Sequence, residues 1–185
     1  RAGTTEVLPS GYYRHRQQRP TPAPRVTLVI PTRDRVDLLR TCIDSVLQHT
    51  DYPAYDILVV DNGSTCPDTL AYLQQRSEEG RIRVLPYSAP FNFSLLVNQG
   101  VAQCDTPLVC LLNNDIVVTR GDWLDELVLH GCRPEVGAVG ALLRYPSGAI
   151  QHAGVVVGFG GVAGHAFVHA PADHPGYLGR ALVTL

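Results

Sequence analysis

Four short apolar runs, each followed by a helical pattern, constrain the fold of this chain more than any other feature. They are RVTLVI (25–30), YDILVV (55–60), RIRVLPY (81–87) and PLVCLL (107–112). The first is a short β-branched run stopped by Pro31 and reads as a buried strand, and the other three read as the second, third and fourth strands. After the first, RDRVDLLRTCIDSVLQHT carries Val36, Leu39, Ile43, Val46 and Leu47 at helical spacing, and Asp34 with Asp37 resembles a capping pair. After the second, Pro67 opens a helix holding Leu70 and Leu73 that closes near Gly80. FNFSLLVNQGVAQC then reads as a loop feeding a helix with Ser94 as cap, and DWLDELVLH as a short helix stopped by Gly131 and anchored by Trp123. The alternation predicts right-handed βαβ units: an α/β fold with a mainly parallel sheet and helices on both faces.

Beyond these units, EVGAVGALLRY and AIQHAGVVVGF read as two strands joined by a turn at Pro146-Ser147-Gly148. After Gly160 the pattern fades into Gly, His and Pro. Residues 1–24, with Pro9, Pro20, Pro22 and Pro24, read as an extended arm or linker ahead of a domain over 25–185. The basic group Arg14, His15, Arg16 and Arg19 could meet acidic lipid or an acidic partner domain, but a solvated linker is the simpler reading.

The 185 residues suit one domain, or one with an arm, and 45% apolar content suffices for a core. A formal charge of −2 gives no global pull toward nucleic acid, and no apolar run has bilayer-spanning length. The polar, Pro-rich start does not read as a secretory leader. Five cysteines without CxxC spacing argue against a disulfide framework or zinc site, and read as reduced, mainly buried small residues of a cytosolic protein. With no Met and Arg1 first, the chain reads as a piece of a longer protein.

The polar ends of the strands carry the chemistry. The first ends in Pro31-Thr32-Arg33-Asp34, the second in Asp61-Asn62-Gly63-Ser64, the fourth in Asn113-Asn114-Asp115. In open α/β sheets ligands bind beyond the carboxyl ends of the strands, so all three belong on one rim. Asp61-Asn62-Gly63-Ser64 is also ordinary turn chemistry. Asn113-Asn114-Asp115 fits a bare turn less well, and its carboxylate and amides suit an oxygen shell around a divalent cation. There is no GxGxxG after the first strand, no GxxxxGK[ST] and no GxSxG.

Together VTLVIPTRDR, ILVVDNGST, FNFSLLVNQG and LLNND resemble family 2 glycosyltransferases of the GT-A fold, in the family's order and spacing from Val26 onward. The last two segments are most similar to a bacterial subgroup with rhamnosyltransferases and other transferases of surface-polysaccharide assembly. The resemblance implies an inverting, metal-dependent transfer of a sugar from a nucleotide-sugar to a polysaccharide or lipid-linked acceptor. It implies that Pro31, Thr32 and Arg33 line the nucleobase pocket, that Asp61 hydrogen-bonds the base, and that Asn62 and Gly63 shape that wall. Asn92 and Asn98 would border the nucleotide and its sugar. Asn113-Asn114-Asp115 would stand as the family's DxD motif, with Asp115 binding Mg²⁺ or Mn²⁺ at the diphosphate. Asn113 departs from that motif and weakens metal binding without nucleotide.

No carboxylate after Asp115 suits the family's general base: Asp122, Asp125 and Glu126 fall on a helix, and Asp173 in a Pro- and His-rich tail. The base is therefore expected beyond Leu185, which makes the chain the donor-binding half of a GT-A domain incomplete at its C-terminus. Its expected partners are the donor, a glycan or lipid-linked acceptor and other domains of a longer chain, not nucleic acid. The implied location is cytoplasmic, with a peripheral place at the inner membrane face as a further option. His165 and His169 have an i, i+4 metal spacing, but Gly160, Gly161, Gly164 and Pro171 oppose a helix, and the QHAG…GHAF run could instead face the diphosphate or acceptor. The alternatives are a sugar-nucleotide-forming nucleotidyltransferase, whose Gly- and Arg-rich first loop is missing, and a non-catalytic nucleotide-binding or scaffolding module.

Overall fold

The computed structural model describes residues 3–8, 11, 13–158 and 161–176. Pro9, Gly160, the side chains of Arg14, His15 and Arg16, and the expected run of the domain to Leu185 lie outside them. The chain forms two compact units, Pro20–Val128 and a second made of Arg1–Arg19 with Leu129–Leu185.

The first unit contains a four-stranded parallel sheet. Its strands are β3 (Val26–Thr32), β4 (Tyr55–Asp61), β5 (Arg83–Pro86) and β6 (Leu108–Leu111), in the order β5-β4-β3-β6. β3 is central, which is why Val26 and Leu28 to Ile30 are almost wholly buried. Register places Leu28 beside Ile57 and Ile30 beside Val59 on one face, and Val29 beside Leu58 on the other.

Helix α3 (Phe93–Val101) lies on the Val29 face, where Leu96 joins Val29 and Val60 in a cluster completed by Leu85, Tyr87, Cys104 and Val109. A Cβ on Gly100 would stand 2.5 Å from Val29 Cγ1 and 2.9 Å from Val60 Cγ2, so glycine sets how closely α3 meets the sheet. Helix α2 (Pro67–Glu78) covers the opposite face near β4 and β5, where Leu73 and Val84 border one cleft, and α1 (Val36–His49) packs beside α2. Helix α1 buries Leu39, Cys42, Ile43 and Val46, the i, i+3, i+4, i+7 stripe that marks a helix face turned to the core. Helix α4 (Trp123–Gly131) begins here; Trp123 Nε1 donates to Thr50 Oγ1 at 2.9 Å.

The helix starts depart from expectation in two places. Asp34 and Asp37 do not cap α1: Asp34 and Arg35 are both left-handed, at φ 52° and 51°, and α1 begins without a side-chain cap. Asp34 Oδ1 instead accepts from the N–H groups of Thr65 and Cys66, each at 2.8 Å, just ahead of α2. Asn92, not Ser94, caps α3 by accepting from Leu95 N–H at 3.0 Å. Asn92→Ala should therefore cost about 1 kcal/mol, read as a fall of roughly 2–4 °C in thermal unfolding. Leu70, expected in the core with Leu73, is 44% exposed, and Tyr72 is buried instead.

In the second unit, residues 3–7 and 13–17 depart from the extended arm expected over 1–24. Strands β1 (Gly3–Val7) and β2 (Tyr13–Gln17) form an antiparallel hairpin, because Thr4, Thr5, Val7 and Tyr13 favour extended pairing despite the prolines nearby. The expected hairpin at Pro146-Ser147-Gly148 is present but short: β7 (Leu143–Arg144) pairs with β8 (Ile150–His152). Gly154, at φ 99°, ends β8 and starts a separate strand β9 (Val155–Val157), which pairs with β10 (Ala163–His165). Of the five cysteines, all free, only Cys42 is fully buried.

Candidate functional site

The polar ends of β3, β4 and β6 meet on one rim. Thr32 pairs with Asp61 across β3 and β4, and Asn62 N–H donates to Thr32 O at 2.8 Å. Asn114 Nδ2 donates to Thr32 Oγ1 at 3.1 Å, joining the segment after β6 to the end of β3. The chain leaves β3 toward β4 on one side, and after β5 it crosses back through α3 to β6 on the other side of β3. That divergence opens a crevice at the carboxyl ends, the usual ligand position of an open parallel sheet.

Each rim residue has a local cause. Asp61 is 7% exposed, and its Oδ1 accepts from Ser64 N–H at 3.0 Å and Ser64 Oγ–H at 2.5 Å. Its Oδ2 takes no hydrogen bond among the described residues. Asn62 is buried and donates to Tyr87 O at 3.1 Å and Ala89 O at 2.8 Å, so it fastens the loop leading to α3. Its Oδ1 is buried without a partner. Gly63 combines φ 72° with a close neighbour, since a Cβ there would lie 2.6 Å from Ser88 Oγ.

The Asn113-Asn114-Asp115 segment is held from behind by α1. Cys42 Sγ donates to Asn113 O at 3.5 Å, and Val118 N–H donates to Ser45 Oγ at 3.0 Å. Burial pushes the Cys42 thiol up to about 12, so it stays a neutral anchor. Between these two fastenings Asn113 and Asp115 are exposed, and Asp115 makes no hydrogen bond or ion pair among the described residues.

Of the expected site residues, Pro31, Thr32, Asp61, Asn62, Gly63, Asn113, Asn114 and Asp115 share the rim, with Arg33 exposed at the end of β3. Asn92 reaches the neighbourhood as the cap of α3. Asn98 is exposed two turns into α3, about 9 Å from Asn92 along the axis, and joins none of these contacts. Sequence reasoning placed Asp34 and Ser64 at the polar strand ends but gave neither a role in the site. Asp34 N–H donates to Ser64 Oγ at 2.8 Å, and the Thr65 and Cys66 N–H groups hold its carboxyl below the usual range, Cys66 most strongly. The contribution of that clamp is present above the ordinary carboxylate range and is lost as pH falls through the lowered value. The signal was the placement of the two residues at neighbouring strand ends, which shows only once the strands are aligned.

Two clefts do not coincide with the rim. One, of about 250 Å³, runs between α2 and the sheet and shares only Asp61 with it. The other, of about 460 Å³, lies near Asp56, Arg81 and Arg83 at the far end of the strands. In the second unit, His165 lies in β10, with its Nδ1 2.7 Å from Nδ1 of His152, while His169 stacks on Tyr145. His165 and His169 therefore form no helical pair, and no group of three His, Cys, Asp or Glu suited to a metal occurs among the described residues.

Comparisons with known proteins agree with this architecture. The uncharacterized protein y4gI of Sinorhizobium fredii is 48% identical over 158 residues, covering 85% of this chain and 17% of that protein. The O-antigen biosynthesis protein RfbC of Myxococcus xanthus is 47% identical over 148 residues, covering 80% of this chain and 12% of that protein. The chain thus spans less than a fifth of the length of either relative. A mannosyltransferase from Pyrobaculum calidifontis, solved in complex with GDP-Man and Mn²⁺, superposes with a TM-score of 0.59 at 24% identity, over 70% of this chain and 38% of that one. At that identity the likeness speaks for the fold, which is the GT-A arrangement of a parallel sheet with helices. The family model described as glycosyl transferase family 2 matches residues 27–153, which takes in every rim residue identified above. With most of its length matched and its rim inside the match, the chain belongs to glycosyl transferase family 2.

Proposed function

We propose that this chain binds a nucleotide-sugar donor on the rim of its parallel sheet and serves an inverting glycosyltransferase that acts on a polysaccharide or lipid-linked acceptor. The observation that carries this is the pairing of Thr32 with both Asp61 and Asn114 beside the free carboxylate of Asp115. Asp61 offers Oδ2 to the base from a buried position, where a charge-assisted hydrogen bond counts for more than in water. Pro31, Thr32 and Arg33 form the neighbouring wall, and Asn62 and Gly63 hold its shape.

The exposed oxygens at Asp115 and Asn113 suit a hard divalent cation, Mg²⁺ or Mn²⁺, whose shell is completed by water and donor phosphates. Bound there, such a cation supplies Lewis-acid stabilisation of the departing diphosphate. Asn114 is tied to Thr32 and positions the segment. The base that deprotonates the acceptor is placed outside these 185 residues, in a longer chain whose further domains are partners of this one. The name of the Myxococcus xanthus relative supports a polysaccharide product. A cytoplasmic setting, against the inner membrane face where lipid-linked acceptors are held, completes the proposal. Asn113, standing where an acid is expected, favours a non-catalytic nucleotide-binding module as the second reading.

Titration calorimetry with UDP, GDP and dTDP, each with and without Mn²⁺, tests this. One nucleotide should bind, and more tightly with Mn²⁺. Asp61→Ala should weaken that binding roughly ten- to hundredfold with or without metal, the expected loss of a hydrogen bond to a charged group. Absence of binding by all three would overturn the donor site.

A further inference from the structure

We propose that His152 and His165 form a two-imidazole site for a transition-metal dication such as Zn²⁺, which fastens β8 to β10. The inference does not depend on the donor reading.

The two histidines are thirteen residues apart and belong to different sheets, β7-β8 and β9-β10, so no shared ladder requires their side chains to meet. The backbone nevertheless holds their segments together. Ala166 N–H donates to Gly154 O at 3.0 Å, His169 N–H to Ile150 O at 2.8 Å, and Ile150 N–H to Ala170 O at 2.9 Å. These ties fix where the two rings start.

Their Nδ1 atoms stand 2.7 Å apart, with the rings crossed at 76°. Two nitrogen lone pairs repel at that separation unless one Nδ1 carries a proton and the other accepts it. A proton shared between two imidazole nitrogens occupies the place that a metal takes between two histidine ligands. Zinc–nitrogen bonds of about 2.0–2.1 Å at the tetrahedral angle set the two nitrogens about 3.3 Å apart. The exposed His165 ring supplies the difference of about 0.6 Å by turning slightly. The displaced proton moves through water to Nε2 of its own ring, so both imidazoles remain neutral, the form that binds metal.

The choice of nitrogen is also set. His152 Nε2 faces Gly140, where a Cβ would stand 3.4 Å from it, so Nδ1 is the nitrogen presented to His165. The nearby histidines are engaged elsewhere: His169 stacks on Tyr145, and His174 Nδ1 accepts from Gly176 N–H at 3.0 Å. Two protein ligands leave the remaining positions to water, which makes the site open and exchangeable. Imidazole nitrogen suits Zn²⁺ and disfavours Mg²⁺, the opposite preference to the oxygens at Asp115.

Calorimetry with Zn²⁺ tests this, on the unaltered chain and on Asp115→Ala, which removes the carboxylate of the rim. Both should bind one Zn²⁺, and about a tenfold excess of Mg²⁺ should not displace it. His152→Ala and His165→Ala should each weaken Zn²⁺ by at least about tenfold, a loss that removing even a group supporting a ligand can cause. His169→Ala should leave Zn²⁺ binding unchanged. His165→Asn separates ligation from packing, because its amide can keep the hydrogen bond to His152 but is a poor zinc ligand. It should bind Zn²⁺ as weakly as His165→Ala and unfold at the temperature of the unaltered chain. Absence of Zn²⁺ binding would overturn the inference. So would binding that neither His152→Ala nor His165→Ala moves, as thiolates elsewhere would give, and binding lost with Asp115→Ala, which would place the ion on the rim. A His165→Asn chain that holds Zn²⁺ like its parent would overturn it as well. None of these results bears on nucleotide binding, so the donor reading stands or falls by its own titration.

Discussion

Asp115→Ala should abolish the gain in nucleoside-diphosphate affinity that Mn²⁺ confers, and should lower sugar transfer on the order of 10²–10³-fold wherever transfer is measured. The reasoning starts from charge. Asn113 and Asn114 are neutral, and Asp115 is the one carboxylate of the segment. A hard dication held by a single protein carboxylate draws most of its binding from phosphate oxygens, so metal and nucleotide must bind together. Removing Asp115 takes away the only full negative charge the segment contributes. The fold should not notice, because Asp115 is exposed and makes no hydrogen bond or ion pair among the described residues. Calorimetry with and without Mn²⁺ reads the first effect and thermal unfolding the second. An Asp115→Ala chain that still binds more tightly with Mn²⁺ would place the cation elsewhere. The complementary variant Asn113→Asp restores a second acid, and should raise affinity for Mn²⁺ in the absence of nucleotide.

How much of this was legible in the sequence follows from how local each feature is. The parallel sheet was readable because buried strands such as β3 and β4 are continuous β-branched runs, and their polar ends fall on one rim by topology alone. Pro67 marked the start of α2 for the same reason: its fixed φ acts within one residue. Asp34 was misread because its partners, Thr65 and Cys66, are more than thirty residues away and become neighbours only when β3 and β4 pair. The capping spacing from Asp34 to Asp37 was a true local pattern that lost to a left-handed turn. The hairpin of β1 and β2 was hidden by prolines counted over the whole segment, although the paired residues themselves favour strand. His152 and His165 meet across a loop that no periodicity encodes. At the rim, the division of labour appeared only with the hydrogen bonds: Asn62 and Asn92 are committed to structural hydrogen bonds, while Asp61 and Asp115 keep free oxygen among the described residues.

Gly100→Val should be the most damaging single substitution on the donor side, costing about 3 kcal/mol or more, whereas Gly100→Ala should cost about 1–2. Two effects oppose each other. Replacing a helical glycine by alanine favours α3 by about 1 kcal/mol. Against this, the new Cβ would lie 2.5 Å from Val29 Cγ1 and 2.9 Å from Val60 Cγ2. Both valines are fully buried and branched at Cβ, so neither can rotate away without clashing elsewhere. The overlap outweighs the propensity gain, and valine adds two methyls to it while giving some of that gain back. Thermal unfolding should fall by roughly 2–8 °C for alanine and further for valine, with Gly137→Ala, where a Cβ meets nothing within 4 Å, as the neutral control. The consequence reaches the rim. Helix α3 can relieve the overlap only by lifting from the sheet, and Asn92 at its start follows the loop that Asn62 holds through Tyr87 O and Ala89 O. Nucleotide affinity should therefore fall with stability in the Gly100 series, whereas Asn92→Ala loosens only the end of the helix. If Gly100→Ala lowered thermal stability and left nucleotide binding untouched, α3 would be packing for the core alone and the Asn62 staple would not transmit its position to the site.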